Sequence, residues 1–160
     1  MNIIIKKMET AEEIKGKAYV HWCSWHEAYP DLVDPAYLEK LTLEKCEDLA
    51  FKWPHNQLIA KDKDRVIGFV GYGEEGKGTP ETGEIFALYV LREYYGKGVA
   101  QQLMKAGLEQ LNHYPQICLW VLKDNNRAIR FYQKCGFKPD GEEMNNPVIK
   151  ATEIRMDLTK

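Results

Sequence analysis

The stretch Gly83–Leu111, GEIFALYVLREYYGKGVAQQLMKAGLEQL, reads as three pieces in a row. GEIFALYVL, Gly83 to Leu91, has the many apolar positions expected of a strand buried on both faces. From about Lys97 to His113, Val99, Leu103, Met104, Leu108 and Leu111 recur at helical spacing and make one core-facing stripe. Between them lies the turn REYYGKG, in which Gly96 and Gly98 permit conformations and close approaches that a Cβ would block. Successive N–H groups there, added to the helix macrodipole, make a cradle for an anion. An ordinary tight strand–helix turn would use the same residues, so both readings stand at this point.

A second glycine string, Gly71, Gly73 and Gly76 in GYGEEGKG, spells G-x-G-x-x-G literally. A dinucleotide fingerprint needs a helix immediately afterwards, but the chain continues through KGTPETG, with a proline and no helical period. Glu74 and Glu75 would also face the phosphates. This stretch predicts a strand end and a flexible loop. No G-x-x-x-x-G-K-S/T string occurs, so the Gly96–Gly98 turn is not a nucleoside-triphosphate loop.

Working outward, NIIIKKM predicts a first strand. Thr10 and Glu13 then form a capping box for a helix that runs to about Tyr29, where Pro30 and Asp31 end it. Asp34-Pro35 starts one or two short helices that reach about Trp53. QLIAKD and RVIGFVGYG are strands of a hairpin around KDKD. QICLWVL is the next buried strand, and Asn125 to Cys135 the next helix, with Gly136 at its exit. Two closing strands are expected, one around Phe137–Asp140 and one in VIKATEIRMDL. That order makes a mixed α/β sheet.

Composition narrows the function classes. With 160 residues, 44% hydrophobic and 29% charged, the chain is expected to be one soluble globular domain, 1–160. A net charge of −2, with Lys and Arg scattered, supplies no footprint for nucleic acid. No apolar run approaches a membrane span, and no signal-peptide pattern opens the chain. Cys23, Cys46, Cys118 and Cys135 show no C-x-x-C pairing and read as free thiols in a reducing cytoplasm. His21 and His26 are five apart, well off a common helical face, so no metal site is expected.

NNRAIRFYQKCGF, Asn125 to Phe137, places Ala128 and Tyr132 on one face of the helix ending at Gly136. Together with the glycine turn, this segment resembles the GNAT superfamily of acetyl-CoA-dependent N-acetyltransferases. The family turn runs Gln or Arg, two residues, Gly, one residue, then Gly or Ala. Gly98, Val99 and Ala100 match its last three positions, Gly96 is the common preceding glycine, and Tyr95 stands where Gln or Arg is usual. The partner motif matches at Asn125, Ala128, Phe131, Tyr132, Gly136 and Phe137. The resemblance implies about seven strands with a central splayed parallel pair and about four helices.

It also implies a set of roles. Backbone N–H groups of Tyr95, Gly96, Lys97, Gly98, Val99, Ala100 and Gln101 would grip the pyrophosphate of coenzyme A. The backbone of Leu88, Tyr89 and Val90 would pair with the pantetheine amides like an added strand. Asn125 would contact the same arm beside the small Ala128. Tyr132 would protonate the leaving thiolate, and an N–H near Leu88 would donate to the oxyanion. Glu84 is the expected base, since four residues along a strand put it on the face of Leu88; a solvated or salt-bridged glutamate is the other possibility. Cys135 reads as a packed thiol and not a nucleophile.

The acceptor is not named by the sequence. Trp22, Trp25, His26 and Tyr29 form an aromatic stripe that is either core or, through Trp25, Tyr29 or Trp53, a wall for a cationic amine. A small-molecule amine (polyamine, amino acid or aminoglycoside-like) is the expected partner. A protein N-terminus or lysine, and a non-catalytic acyl-CoA-binding module, are the alternatives. Homodimers are frequent in the family, and no interface is readable here.

Overall fold

The computed structural model describes residues 2–75 and 81–159. The loop expected around Gly76 lies outside them. Strand β1 (Ile3–Lys7) passes into helix α1 (Ala11–Ala28) through the expected capping box. Thr10 Oγ1 accepts from the Glu13 amide at 3.1 Å, and Glu13 accepts from the Thr10 amide at 3.2 Å. Asp34 caps α2 (Pro35–Lys40) and Thr42 caps α3 (Leu43–Lys52). Because Thr42 opens a new helix directly after α2 closes, the described residues form five α-helices where about four were expected.

The hairpin β2 (Gln57–Asp62) and β3 (Arg65–Glu74) leads to β4 (Thr82–Val90), a short 3₁₀ turn at Arg92–Tyr94, and α4 (Val99–Gln110). Then come β5 (Gln116–Leu122), α5 (Asn126–Lys134), β6 (Lys138–Asn146) and β7 (Ala151–Thr159). The seven strands form one sheet in the order β1-β2-β3-β4-β5-β7-β6, with β4 and β5 parallel and every other pair antiparallel. This is the mixed sheet with a central parallel pair that was expected. Among the described residues no helix is long and apolar enough to cross a membrane.

The parallel pair is short. It runs from Thr82 opposite Gln116 to Ile85 opposite Leu119, after which β4 keeps its ladder with β3 alone. At that point β4 carries one extra residue: Gly71 faces Ala87 and Tyr72 faces Ile85, leaving Phe86 as a bulge. The bulge also corrects the expectation of a strand buried on both faces. Ile85 and Val90 are buried, whereas Phe86 is 52% exposed and Ala87–Tyr89 are half-buried.

Helices cover both faces of the sheet. On one, α4 buries Val99, Leu103, Met104 and Gly107; a Cβ at Gly107 would lie 3.1 Å from Val70 and 3.3 Å from Ile85, closer than an ordinary contact, so the glycine lets the helix pack tightly there. On the other, α1 sets the Lys17 ammonium 4.6 Å over the ring of Phe69, the neighbour of Val70 in β3. Strand β6 extends well past Asp140, to Asn146. All but its last residue are exposed, and its register breaks between Pro139 and Glu143, so it offers no alternation to read. Arg155 of β7 fastens this edge, reaching Asp140 at 2.7 Å, Asp157 at 2.9 Å and Glu75 at 3.3 Å.

Glu13 ties β1, α1 and β2 together. Its side chain, 6% exposed, accepts from Lys6 at 2.5 Å, Lys61 at 3.0 Å and the Glu9 amide at 2.8 Å. Burial alone would raise its pKa; the hydrogen bonds from Lys6, Glu9, Lys61 and Thr10 together outweigh that and hold it at about 2. A depressed carboxyl stabilises the fold above its unfolded pKa, and that contribution fades as the pH falls towards about 2. Glu13→Gln is expected to cost roughly 2 kcal/mol in urea unfolding at neutral pH, with the gap to wild type closing between about pH 5 and pH 2. A gap that stayed constant over that range would remove the electrostatic account.

Candidate active site

Where β4 and β5 part, a cleft of ≈ 720 Å³ opens between the last turns of α1, the start of α4 and one face of α5. Gly96 and Gly98 stand at one end with φ of 75° and 80°. No protein atom lies within 4 Å of an ideal Cβ at either, so the left-handed backbone demands glycine here, not crowding. Gly98 is the N-cap of α4 and offers no side-chain acceptor. The first N–H groups of α4, on Val99, Ala100 and Gln101, therefore face the cleft without a cap, as an anion site requires.

Tyr95, Gly96, Gly98, Val99, Ala100 and Gln101 all line this end, while Lys97 does not; its ammonium lies 5.7 Å from the Tyr94 ring. Positive charge reaches the turn from α5 instead. The Arg127 guanidinium sits 3.7 Å from the centroid of the Tyr95 ring, with Arg130 and Lys134 further along the helix. Arg92 completes the rim, held by Glu27 of α1 at 3.1 Å. Arg127 was missed in the sequence, because its stacking on Tyr95 joins positions 32 apart with no local signature.

Leu88, Tyr89 and Val90 line the middle of the cleft, facing Asn125, Ala128 and Tyr132. Asn125 is the N-cap of α5, its Oδ1 accepting from the Ala128 amide at 3.3 Å. Tyr132 is half-buried with its ring edge-on to Phe131 and Phe137. Burial first, then Tyr89 and Cys135, hold its phenol well above its ordinary value, so it stays protonated at neutral pH. Burial likewise raises the thiol of Cys135.

The aromatic stripe of α1 divides. Trp25 and Tyr29 line the cleft and meet at Tyr89: the Trp25 indole donates to the Tyr89 hydroxyl at 3.1 Å, and the Tyr29 hydroxyl lies 3.2 Å from it. Trp22 packs instead beside Leu41, Cys46 and Ala50, and His26 Nε2 lies 2.7 Å from the Leu41 carbonyl oxygen. Trp53 is 64% exposed and does not line the cleft.

Glu84 corrects a second expectation. The bulge at Phe86 inverts the strand's alternation, so Glu84 and Leu88 point to opposite faces. Glu84 is paired with Cys118 and lies outside the cleft lining. The Cys118 thiol is pushed up to about 12 by burial and then by the Glu84 and Glu75 carboxylates. The acidic side chain that does line the cleft, alone of its kind among the described residues, is Glu153 of β7. No sequence signal marked it, since it sits within a closing strand that carries no motif.

Three comparisons bear on this geometry. The model of the acetyltransferase (GNAT) family matches residues 18–137. The N-acetyltransferase YuaI of Bacillus subtilis is 33% identical over 154 residues, covering 90% of this chain and 84% of that protein. N-alpha-acetyltransferase 30 of Schizosaccharomyces pombe is 35% identical over 89 residues, 54% of this chain and 59% of that one. In fold, the crystal structure of the PaiA N-acetyltransferase of Thermoplasma acidophilum in complex with coenzyme A superposes with a TM-score of 0.77 at 22% identity, covering 100% of both chains.

Tyr89→Phe removes the acceptor of the Trp25 indole and the partner of Tyr29. The indole N–H left unpaired is expected to cost about 1–2 kcal/mol in urea unfolding. An unchanged midpoint would mean that the three-ring junction adds nothing to stability.

Proposed function

The chain belongs to the acetyltransferase (GNAT) family, and we propose that it moves an acetyl group from acetyl-CoA to a primary amine of a small molecule, by direct attack in a ternary complex. The observation that carries this is the cleft, in which an uncapped glycine turn, a strand with one open edge and a protonated tyrosine share one space. Acetyl-CoA supplies an activated thioester carbonyl and a thiolate leaving group.

The chain's residues fit such a ligand. Backbone N–H groups from Gly96 to Gln101, with the macrodipole of α4, hold the pyrophosphate; the Tyr95 N–H is already given to the Arg92 carbonyl. Arg127, braced on the Tyr95 ring, brings positive charge and N–H donors to the position where Gln or Arg would otherwise offer a side-chain donor. The free edge of Leu88–Val90 pairs with the amides of the pantetheine arm, and Asn125 and Ala128 form the facing wall. The Leu88 amide donates to the carbonyl oxygen as charge builds on it. Tyr132 gives its proton to the departing sulfur, and the proton that the amine nitrogen loses passes through water in the open cleft to restore the phenol. Glu84, on the far face and outside the lining, is given no direct part. A protein N-terminus is a second candidate acceptor, favoured by the likeness to N-alpha-acetyltransferase 30.

The test is coenzyme A release from acetyl-CoA with a panel of amines and N-terminal peptides, products being identified by mass spectrometry so that the partly exposed Cys23 and Cys135 do not confound a thiol readout. Tyr132→Phe is expected to lower turnover by about a hundredfold while acetyl-CoA affinity in calorimetry stays as in wild type. Wild-type protein that binds acetyl-CoA and turns over no acceptor would point to a binding module. Absence of binding would remove the proposal altogether.

A further inference from the structure

The cleft is divided by charge. Its turn and α5 end carries Arg127, Arg130 and Lys134, which suits an anionic cofactor. Its opposite end carries one carboxylate, Glu153, beside the aromatic rings of Trp25, Tyr29 and Tyr89. Glu153 is paired in register with Leu122 of β5, and both residues line the same space. Among the described residues no lysine or arginine pairs with it, and the Asn146 side chain favours its ionised form. The cations nearest along that rim are already engaged, Lys123 with Glu143 at 3.0 Å and Lys150 with Asp34 at 3.9 Å.

Position decides which part of a ligand Glu153 meets. Tyr29 and Tyr89 both feel its charge, Tyr29 feels Tyr132 as well, and Tyr132 feels Tyr89. The two tyrosines thus lie within reach of both the carboxylate and the proton donor, in one shared cleft. Burial holds its carboxyl above the usual carboxylate range, with Asn146 pulling the other way. A cation placed beside it would relieve that cost, and aromatic faces around it would add to the attraction. A second depression of ≈ 460 Å³ adjoins the cleft at Leu122 and includes Asn146.

We propose that Glu153, walled by Trp25, Tyr29 and Tyr89, is the binding site for a second, non-reacting ammonium group of the acceptor, so that the substrate is an aliphatic di- or polyamine. The inference rests on the acetyl-transfer assignment above and names the acceptor for that same cleft. It places a positive charge at the aromatic end while a neutral amine at the other terminus meets the thioester near Tyr132.

The experiment compares a linear α,ω-diamine of four carbons with the monoamine of equal length, for wild type and Glu153→Gln. Wild type is expected to favour the diamine by roughly tenfold or more in kcat/KM, the scale of one charge-assisted contact. Glu153→Gln is expected to raise KM for the diamine until that preference is lost, with the monoamine rate and acetyl-CoA affinity unchanged and Glu153→Asp restoring part of the preference. Calorimetric titration of the diamine into protein saturated with coenzyme A gives a second readout, a saturable heat that the Gln variant lacks. Equal use of both amines by wild type, a preference that survives in Glu153→Gln, or turnover confined to peptides would overturn the inference and leave acetyl transfer standing. No turnover with any amine or peptide would overturn both.

Discussion

Everything in this molecule turns on a parallel strand pair that stops after four residues. Backbone N–H and C=O groups inside a protein must find partners, so an interrupted ladder in mid-sheet is costly unless something else is provided for it. Here the bulge at Phe86 re-aims β4 at the place where its pairing with β5 ends, and two helical layers hold the strands apart beyond it. Helix α4, drawn close through Gly107, anchors β4 to β3 on one face, and α1 supports the other through Lys17 on Phe69. The opening is thus a packed feature of the fold and not a gap left by loose packing.

The charge of the opening is set by the elements that border it. Helix α5 presents Arg127, Arg130 and Lys134 because its apolar face is spent on the core through Ile129 and Tyr132. Strand β7 presents Glu153 because alternate residues of a strand face opposite sides, and Met156 and Ile154 pack into the core. Between these ends Tyr89 works as a junction, accepting from Trp25, touching Tyr29 and adding to the field at Tyr132. One residue of β4 therefore links the wall made by α1 to the proton donor on α5.

Much of this was legible in the sequence wherever a signal is local. Thr10 and Glu13 announce their helix by mutual capping, Asp34-Pro35 by cap and fixed φ, and Gly96 and Gly98 mark a turn that only left-handed residues can make. Glu84 failed for an equally physical reason: the two-residue period that placed it with Leu88 holds only in an unbroken ladder, and a bulge is invisible in composition. Strand β6 was cut short because Pro139 and a run of exposed charged residues carry no alternation. Arg127 and Glu153 could not be found at all, since each takes its place from tertiary contact between elements far apart in the chain.

A seven-stranded open sheet ordinarily has two borders, and this one has a third, hidden within it. The outer borders are blunted: β1 is five residues long and ends in Lys6 and Lys7, and β6 is kinked at Pro139 and studded with acidic side chains. The inner border of β4 is guarded by depth instead. The same interruption that would invite aggregation at a surface becomes, in the interior, a row of hydrogen-bonding groups reserved for whatever enters the cleft.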